Sequence, residues 1–167
     1  MTSIYGYLTP RRGMALAGLG SVALVVSALV LTRLLQLEPC PLCIFQRVLY
    51  LAIAVFALAG ALWPRALAAT GALALLAGAG GLATALYQSW MQAFPARFTS
   101  CSIGVPSNPI EHLVDRLGEW WPAMFYAWGD CTSREWSLFG LSMANWSAVM
   151  FLGIIVVLVL AMRARRA

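Results

Sequence analysis

The chain has 167 residues, of which 62% are apolar and only 10% are charged, and its formal net charge is +5. About a quarter of the residues in soluble domains are charged, so this composition excludes an ordinary soluble protein. The sequence contains no repeat of solenoid length and no low-complexity tail. It therefore predicts a single membrane domain over residues 1–167.

Four apolar runs are long enough to cross a bilayer core, which requires about 20 residues of helix. The predicted transmembrane helices cover residues of about 14–32, 44–63, 68–88 and 145–162. Pro64 and Arg65 end the second helix, so only a tight turn precedes the third. The third run is rich in glycine and alanine, which allow helices to approach closely in lipid. The predicted fold is an all-α integral membrane protein, a bundle of four transmembrane helices.

The first run is interpreted as a retained helix, although Arg11-Arg12 resembles the start of an export signal. Its apolar stretch of about 19 residues is longer than the apolar region of a typical signal peptide. Glu38-Pro39 also replaces the small residues that cleavage before Cys40 would need.

The distribution of charge predicts the orientation of the four helices. Six arginines flank one side without any acid among them: Arg11, Arg12, Arg65, Arg163, Arg165 and Arg166. All six acids fall in the two loops of the other side, at about 33–43 and 89–144. The positive-inside rule then places both termini in the cytoplasm. It also places all four cysteines on the outer side of the membrane, where disulfides form and persist. Because topology explains the net charge, a nucleic-acid partner receives no support.

The tetrad Cys40-Pro41-Leu42-Cys43 stands at the predicted start of the second helix, and Arg47 follows one turn later. Two cysteines at this spacing can form a small, easily reduced disulfide, and a helix N-terminus favours the thiolate form. Arg47 shares a helix face with Cys43. An arginine in a membrane helix requires water, an anion or a polar ligand, so a thiolate and a carbonyl-bearing ligand would both suit it.

Two structural alternatives compete with a redox role for this motif. Arg47 could be an anchor at the membrane surface beside a stable disulfide, but a disulfide that closes so short a loop stabilises little. A zinc site usually needs a second close pair of cysteines, whereas Cys101 and Cys131 are 30 residues apart in sequence. Redox chemistry is therefore the favoured interpretation.

The long second loop contains Cys101, Cys131 and a predicted short amphipathic helix between them. Asn108-Pro109 provides a cap and a first helical residue. The following turns place four apolar residues together: Ile110, Leu113, Val114 and Leu117. This pattern, followed by tryptophans, is typical of a helix that lies on a lipid surface, and the same helix could also cover the end of the bundle. An extended segment is predicted before Cys101, and a turn at Gly129-Asp130.

These motifs, in this order, resemble the DsbB family of bacterial inner-membrane disulfide bond formation proteins. The matching segments are Glu38-Pro39-Cys40-Pro41-Leu42-Cys43, Gln46-Arg47, the Cys101 loop, Gly129-Asp130-Cys131, and Trp136 to Met143 leading into Trp146. The chain departs from members that carry a histidine just after the third helix, because it has Gln88-Ser89-Trp90 there.

The resemblance implies a four-helix enzyme that transfers electrons from a periplasmic DsbA-like protein to a membrane quinone, either ubiquinone or menaquinone. Reduced partner would attack a Cys101–Cys131 disulfide, at Cys101, and the electrons would then pass to Cys40 and Cys43. The thiolate of Cys43 would lie next to the quinone, which Arg47 would orient.

Three questions stay open at this point. The same fold could carry reducing equivalents outward, although no cysteine is predicted on the cytoplasmic side. It could also be a structural membrane protein with two inert disulfides. Finally, the resting pairing of the four cysteines is open, and a bond between the two loops, such as Cys40 to Cys101, is one possibility.

Overall fold

The computed structural model describes residues 9–97, 101, 109–134 and 136–165. Four long helices are present: α1 (Pro10–Leu34), α2 (Pro41–Leu62), α3 (Leu67–Ala93) and α6 (Met143–Ala164). Between α3 and α6 lie a 3-10 helix (Pro95–Arg97), α4 (Pro109–Trp120), α5 (Pro122–Phe125), β1 (Ser137–Leu138) and β2 (Leu141–Ser142). The four long helices are long and apolar enough to cross a membrane, which confirms the predicted all-α membrane fold.

The ends of α2 and α3 determine where the polar residues of the site lie. Pro41 is the first residue of α2, where its missing N–H breaks no helical bond, so Cys40 immediately precedes the helix. The tight turn predicted at Pro64-Arg65 is present between α2 and α3. The third helix continues five residues beyond the predicted end at Gln88, because no charge or proline interrupts it before Pro95.

The chain divides into two compact units, and the first contains the described parts of Met1–Val26, Leu49–Leu82 and Val149–Ala167. Small residues bring its helices together. A Cβ added to Gly81 would overlap the ring of Phe151, and that ring stacks on Tyr50 with 3.9 Å between centroids. A Cβ added to Gly71 would lie 2.5 Å from Sδ of Met162. The glycines of α3 thus serve the close helix approach that the sequence predicted.

The second unit contains the described parts of Ser27–Val48 and Ala83–Ala148, and all four cysteines belong to it. Its only described strands form a hairpin in which Ser137 pairs with Ser142. The two turn residues, Phe139 and Gly140, have φ values of +53° and +77°, the left-handed conformation that tight two-residue hairpins require. The indole N–H of Trp146, in the first turn of α6, donates to the Leu138 carbonyl at 3.2 Å.

The short helix predicted in the second loop is present as α4. Val114 and Gly118 are its buried residues, whereas Leu113 and Trp120 are exposed. The predicted cap Asn108 lies outside the described residues. The extended segment predicted before Cys101 is wrong at Pro95–Arg97, which form a 3-10 helix that starts at a proline, and residues 98–100 lie outside the described residues. Contact of α4 with lipid stays a prediction.

Candidate active site

Cys40 and Cys43 form a pair of free thiols at the N-terminus of α2. Their sulfur atoms are 2.8 Å apart, and the backbone N–H of Cys43 donates to Sγ of Cys40 at 3.3 Å. A disulfide requires an S–S distance of about 2.05 Å, so the two sulfurs need to move less than about 1 Å closer to form one. The start of the helix thus holds the two thiols ready for oxidation.

The side-chain amide of Gln88 lies against both of these sulfurs. Its Nε2 atom donates to Sγ of Cys40 and to Sγ of Cys43, each at 3.1 Å. Its Oε1 atom accepts a hydrogen bond from Nε2 of Gln46 at 2.8 Å. Both glutamines are buried. An amide NH₂ group has two hydrogens, so one is available for each sulfur.

Arg47 lies one helical turn after Cys43 and is buried. Its Nη1 atom donates to the carbonyl of Met124 at 3.3 Å, and its Nη2 atom donates to the hydroxyl of Thr32 at 2.7 Å. Both acceptors are neutral, so neither cancels the positive charge. That charge interacts with Cys43 and Cys40. A cation in this position can stabilise negative charge on sulfur or on a bound ligand.

Cys101 and Cys131 form a disulfide with a Cα–Cα distance of 5.3 Å. This bond lies in the same apolar cluster as Cys40, together with Leu42 and Met91. Cys43 packs against that cluster. The structure therefore brings together the two cysteine pairs, which lie in different loops of the sequence. We call Cys40 and Cys43 the inner pair and Cys101 and Cys131 the outer pair.

Backbone contacts hold the outer pair beside the inner one. The carbonyl oxygen of Pro39 accepts hydrogen bonds from the N–H groups of Trp128 and Gly129, at 3.0 and 3.2 Å. A Cβ on residue 129 would overlap the carbonyl oxygen of Glu38, so only glycine allows this close approach. The turn predicted at Gly129-Asp130 is present. The Asp130 carboxylate fixes it by accepting from the Thr132 N–H at 2.9 Å.

A second glutamine of α3 anchors the chain that follows the outer pair. Nε2 of Gln92 donates to the carbonyl of Ser133 at 3.0 Å, and its Oε1 accepts from the hydroxyl of Ser142 at 2.6 Å. Gln92 is also buried, with 8% of its surface exposed. It fixes the segment between Cys131 and α6 rather than the sulfurs.

Comparison with known proteins agrees with this architecture. Residues 10–161 match the family model described as "Disulfide bond formation protein DsbB". The chain belongs to the DsbB family. It is similar to the disulfide bond formation protein B of Dechloromonas aromatica, with 49% identity over 150 residues and 90% of each chain covered. The protein of the same name from Albidiferax ferrireducens is 35% identical over 164 residues, covering 95% of this chain and 90% of the relative.

Family membership confirms the resemblance drawn from the motifs. This DsbB-family chain is a multi-pass membrane protein and a disulfide-forming oxidoreductase. Inert disulfides are therefore not its function. Family membership alone does not assign the roles of individual residues, the electron acceptor or the partner protein.

The two thiols of the inner pair differ in their environment. The hydrogen bond with Cys43, followed by burial and by the charge of Cys43, raises the pKa of the Cys40 thiol well above its ordinary value. The raised pKa favours the protonated form of Cys40, which can then donate the hydrogen bond between the sulfurs. In that arrangement Cys43 is the acceptor, which suits a sulfur that carries negative charge.

Sequence reasoning named the four cysteines and Arg47 but did not identify the glutamines. In the sequence, Gln46 stands out only as part of the matching segment Gln46-Arg47, and Gln88 only as part of the segment where some family members carry a histidine. Their signal was present, because a buried amide in a membrane helix needs a polar partner. His112, the single histidine of the sequence, is exposed on α4.

Proposed function

We propose that this DsbB-family protein oxidises the thiols of a periplasmic DsbA-like protein and passes the electrons through its two cysteine pairs to a membrane quinone. The observation that carries this proposal is the single buried cluster that holds both pairs, with the Arg47 cation beside the inner one. A relay needs two exchangeable pairs within reach of each other, and an acceptor site next to the second.

The first step is attack on the outer disulfide by a thiolate of the reduced partner. Cys101 is the sulfur attacked, because 9% of its surface is exposed whereas Cys131 is fully buried. The bond between Cys101 and Cys131 breaks, a mixed disulfide forms at Cys101, and Cys131 leaves as the thiolate. The partner's second thiolate then displaces Cys101, so the partner gains a disulfide and the outer pair gains two electrons.

The second step moves these two electrons to the inner pair when that pair is a disulfide. A thiolate of the outer pair attacks Cys40, whose sulfur belongs to the shared cluster, and Cys43 leaves as the thiolate. Closure of the outer disulfide then releases Cys40 as a thiol. The products of this transfer are an outer disulfide and a pair of inner thiols.

The residues around Cys43 suit a quinone. Arg47 is a buried cation with neutral partners on the helix face of Cys43, and a carbonyl oxygen is a ligand that it can bind. When bound, a quinone supplies an acceptor for two electrons and two protons. DsbA-type proteins are strong oxidants with potentials near about −120 mV, so their reduced forms give up electrons readily only to a stronger oxidant such as a quinone. Ubiquinone and menaquinone both carry the required carbonyls.

We place this protein in the bacterial inner membrane with both termini in the cytoplasm and the cysteines in the periplasm. The arginine clusters near the ends of α1, α2 and α6 support this orientation through the positive-inside rule. Residues 1–167 would then act as one membrane domain, with lipid around the four helices.

The experiment that tests this function follows the thiols of a reduced DsbA-like protein over many turnovers, with purified protein, with and without added quinone. Turnover that requires quinone supports the proposal. A burst of one equivalent without turnover would indicate a disulfide exchanger with another acceptor. No loss of partner thiols would contradict the proposed partner.

A further inference from the structure

Gln88 contacts both sulfurs of the inner pair, yet the electron relay proposed above assigns it no role. Its two amide hydrogens are shared between Cys40 and Cys43, at equal distances of 3.1 Å. With only 2% of its surface exposed, the side chain is shielded from water that could replace it as a donor. The redox pair therefore has a fixed hydrogen-bond donor of its own.

Gln46 fixes the orientation of this donor. An amide can rotate to present either its oxygen or its nitrogen, and only the nitrogen can donate to a sulfur. Nε2 of Gln46 donates to Oε1 of Gln88 at 2.8 Å, which occupies the oxygen end. The NH₂ group of Gln88 is then left facing the sulfurs. Gln46 lies in α2, between Cys43 and Arg47, so the orienting residue and the thiols belong to the same helix end.

Such a donor acts differently on the two redox states of the pair. A hydrogen bond to an ionised acceptor is about twice as strong as one to a neutral acceptor. The reduced pair can carry a negative charge on sulfur, whereas the disulfide is neutral. The amide therefore stabilises the reduced state more than the oxidised state. A thiol couple whose reduced form is stabilised is a stronger oxidant.

We propose that Gln88, oriented by Gln46, is a positioning residue that makes the Cys40–Cys43 couple a stronger oxidant by stabilising its reduced form. The inference rests on the redox role proposed above for the inner pair. In the reaction concerned, the disulfide of the inner pair is reduced. Its S–S bond breaks, and the two sulfurs take up two electrons and up to two protons. The donor, a pair of thiols, is oxidised to a disulfide. Gln88 gains and loses no electrons or protons.

A purely structural role for Gln88 makes a different prediction. Buried amides in membrane helices often serve only to satisfy one another, and Gln46 and Gln88 would do so without any sulfur. In that case, loss of Gln88 would lower stability but leave the redox equilibrium of the inner pair unchanged. Gln92 provides a matched control, because it is a buried glutamine one turn later in α3 that binds Ser133 and Ser142 instead of sulfur.

The test measures the redox equilibrium of each pair in the full chain, held in lipid nanodiscs without quinone. Wild type, Gln88→Leu, Gln88→Glu and Gln92→Leu are equilibrated with reduced and oxidised glutathione at a series of ratios. Two glutathione thiols reduce one protein disulfide and become one glutathione disulfide. Differential alkylation followed by peptide mass spectrometry then reads the inner pair and the outer pair separately.

We expect Gln88→Leu to lower the equilibrium constant for reduction of the inner pair about tenfold, equivalent to about 30 mV. The outer pair of Gln88→Leu and the inner pair of Gln92→Leu should keep their wild-type equilibrium constants. Gln88→Glu has nearly the same shape, so it preserves packing if the leucine variant does not fold. It should shift the inner pair in the same direction, and more strongly as pH rises, because an ionised carboxylate repels the thiolate.

The inference is overturned if Gln88→Leu keeps the equilibrium constant for reduction of the inner pair within twofold of wild type. The same result in Gln88→Glu, at a pH where the new carboxyl group is ionised, also overturns it. An equal shift in Gln92→Leu also overturns it. These outcomes are separate from failure of the proposed function. If turnover does not require quinone, the proposed electron acceptor is wrong. The equilibrium of the inner pair with glutathione would still measure the effect of Gln88, because it involves no quinone.

Discussion

The backbone N–H of Gly129 donates a hydrogen bond to the carbonyl oxygen of Pro39 at 3.2 Å. Pro39 immediately precedes Cys40, and Gly129 is two residues before Cys131. Together with the hydrogen bond from the Trp128 N–H to the same carbonyl, this contact links the loop of the outer pair to the start of the helix that carries the inner pair. It explains how cysteines far apart in sequence come to share one cluster.

We predict that Gly129→Ala slows electron transfer between the two pairs. The added methyl group would overlap the carbonyl oxygen of Glu38, so the loop would have to move away from Pro39. A displacement of about 1 Å between reacting groups can cost about 100-fold in rate, and we expect a loss of about 10- to 100-fold. Rapid-mixing experiments with reduced partner, read by alkylation of the inner pair, measure this rate.

Gly20→Ala is the matched control for the glycine experiment, since a Cβ at Gly20 meets no atom within 4 Å. It should transfer electrons at the wild-type rate. Formation of the mixed disulfide at Cys101 should also persist in Gly129→Ala. A wild-type transfer rate in Gly129→Ala would show that the contact with Pro39 does not position the cysteines.

We predict that Arg47→Ala weakens the use of quinone and leaves exchange with the partner protein largely intact. Hydrogen bonds to charged groups contribute about 1.5–3 kcal/mol, so the KM for quinone should rise about 10- to 100-fold. Steady-state kinetics at varied quinone concentration give this value. Arg33→Ala is the control, because Arg33 is an exposed arginine near the end of α1. An unchanged KM in Arg47→Ala would count against the assigned role.

The order of the relay predicts opposite behaviour for two cysteine variants. Cys101→Ser should prevent attack by reduced partner, because the more exposed sulfur of the outer disulfide is missing. Cys43→Ser should still form the mixed disulfide with the partner but should stop before the acceptor. Non-reducing gel electrophoresis detects the mixed disulfide. Its formation with Cys101→Ser would show that the point of attack is misplaced.

We predict that the pKa of Cys40 falls toward its ordinary value when Cys43 is replaced by alanine. The hydrogen bond with Cys43 is the largest cause of the raised pKa, and burial would be left as the other major cause. The pH dependence of alkylation at Cys40, followed by mass spectrometry in reduced wild type and Cys43→Ala, measures the change. Equal pKa values in the two proteins would contradict the assigned cause.

The raised pKa of Cys40 also has a consequence for stability. A thiol in the unfolded chain titrates near about pH 8.5, whereas the folded protein holds the Cys40 proton to higher pH. The contribution of Cys40 to stability is therefore complete below about pH 8.5 and is lost as pH rises toward the folded pKa. The melting temperature of the reduced protein should therefore fall above that pH, and it should fall less in Cys40→Ala.

The sequence by itself determined the membrane fold, the family and the residues that carry the redox chemistry. Long uncharged runs leave helices as the favoured way to satisfy backbone hydrogen bonds in lipid, so the four spans follow from composition. The position of Cys40 and Cys43 follows from Pro41, which fixes the start of α2. Local rules of this kind need no knowledge of distant residues.

Only the tertiary structure decided which polar groups surround the sulfurs. Gln88 of α3 reaches Cys40 and Cys43 at the start of α2, and contacts between residues more than 40 positions apart cannot be read from helix periodicity. The approach of Gly129 to Pro39 likewise depends on two loops that meet in space. Hydrogen bonds between separate elements depend on distances of a few tenths of an ångström, and those distances exist only after the elements have packed.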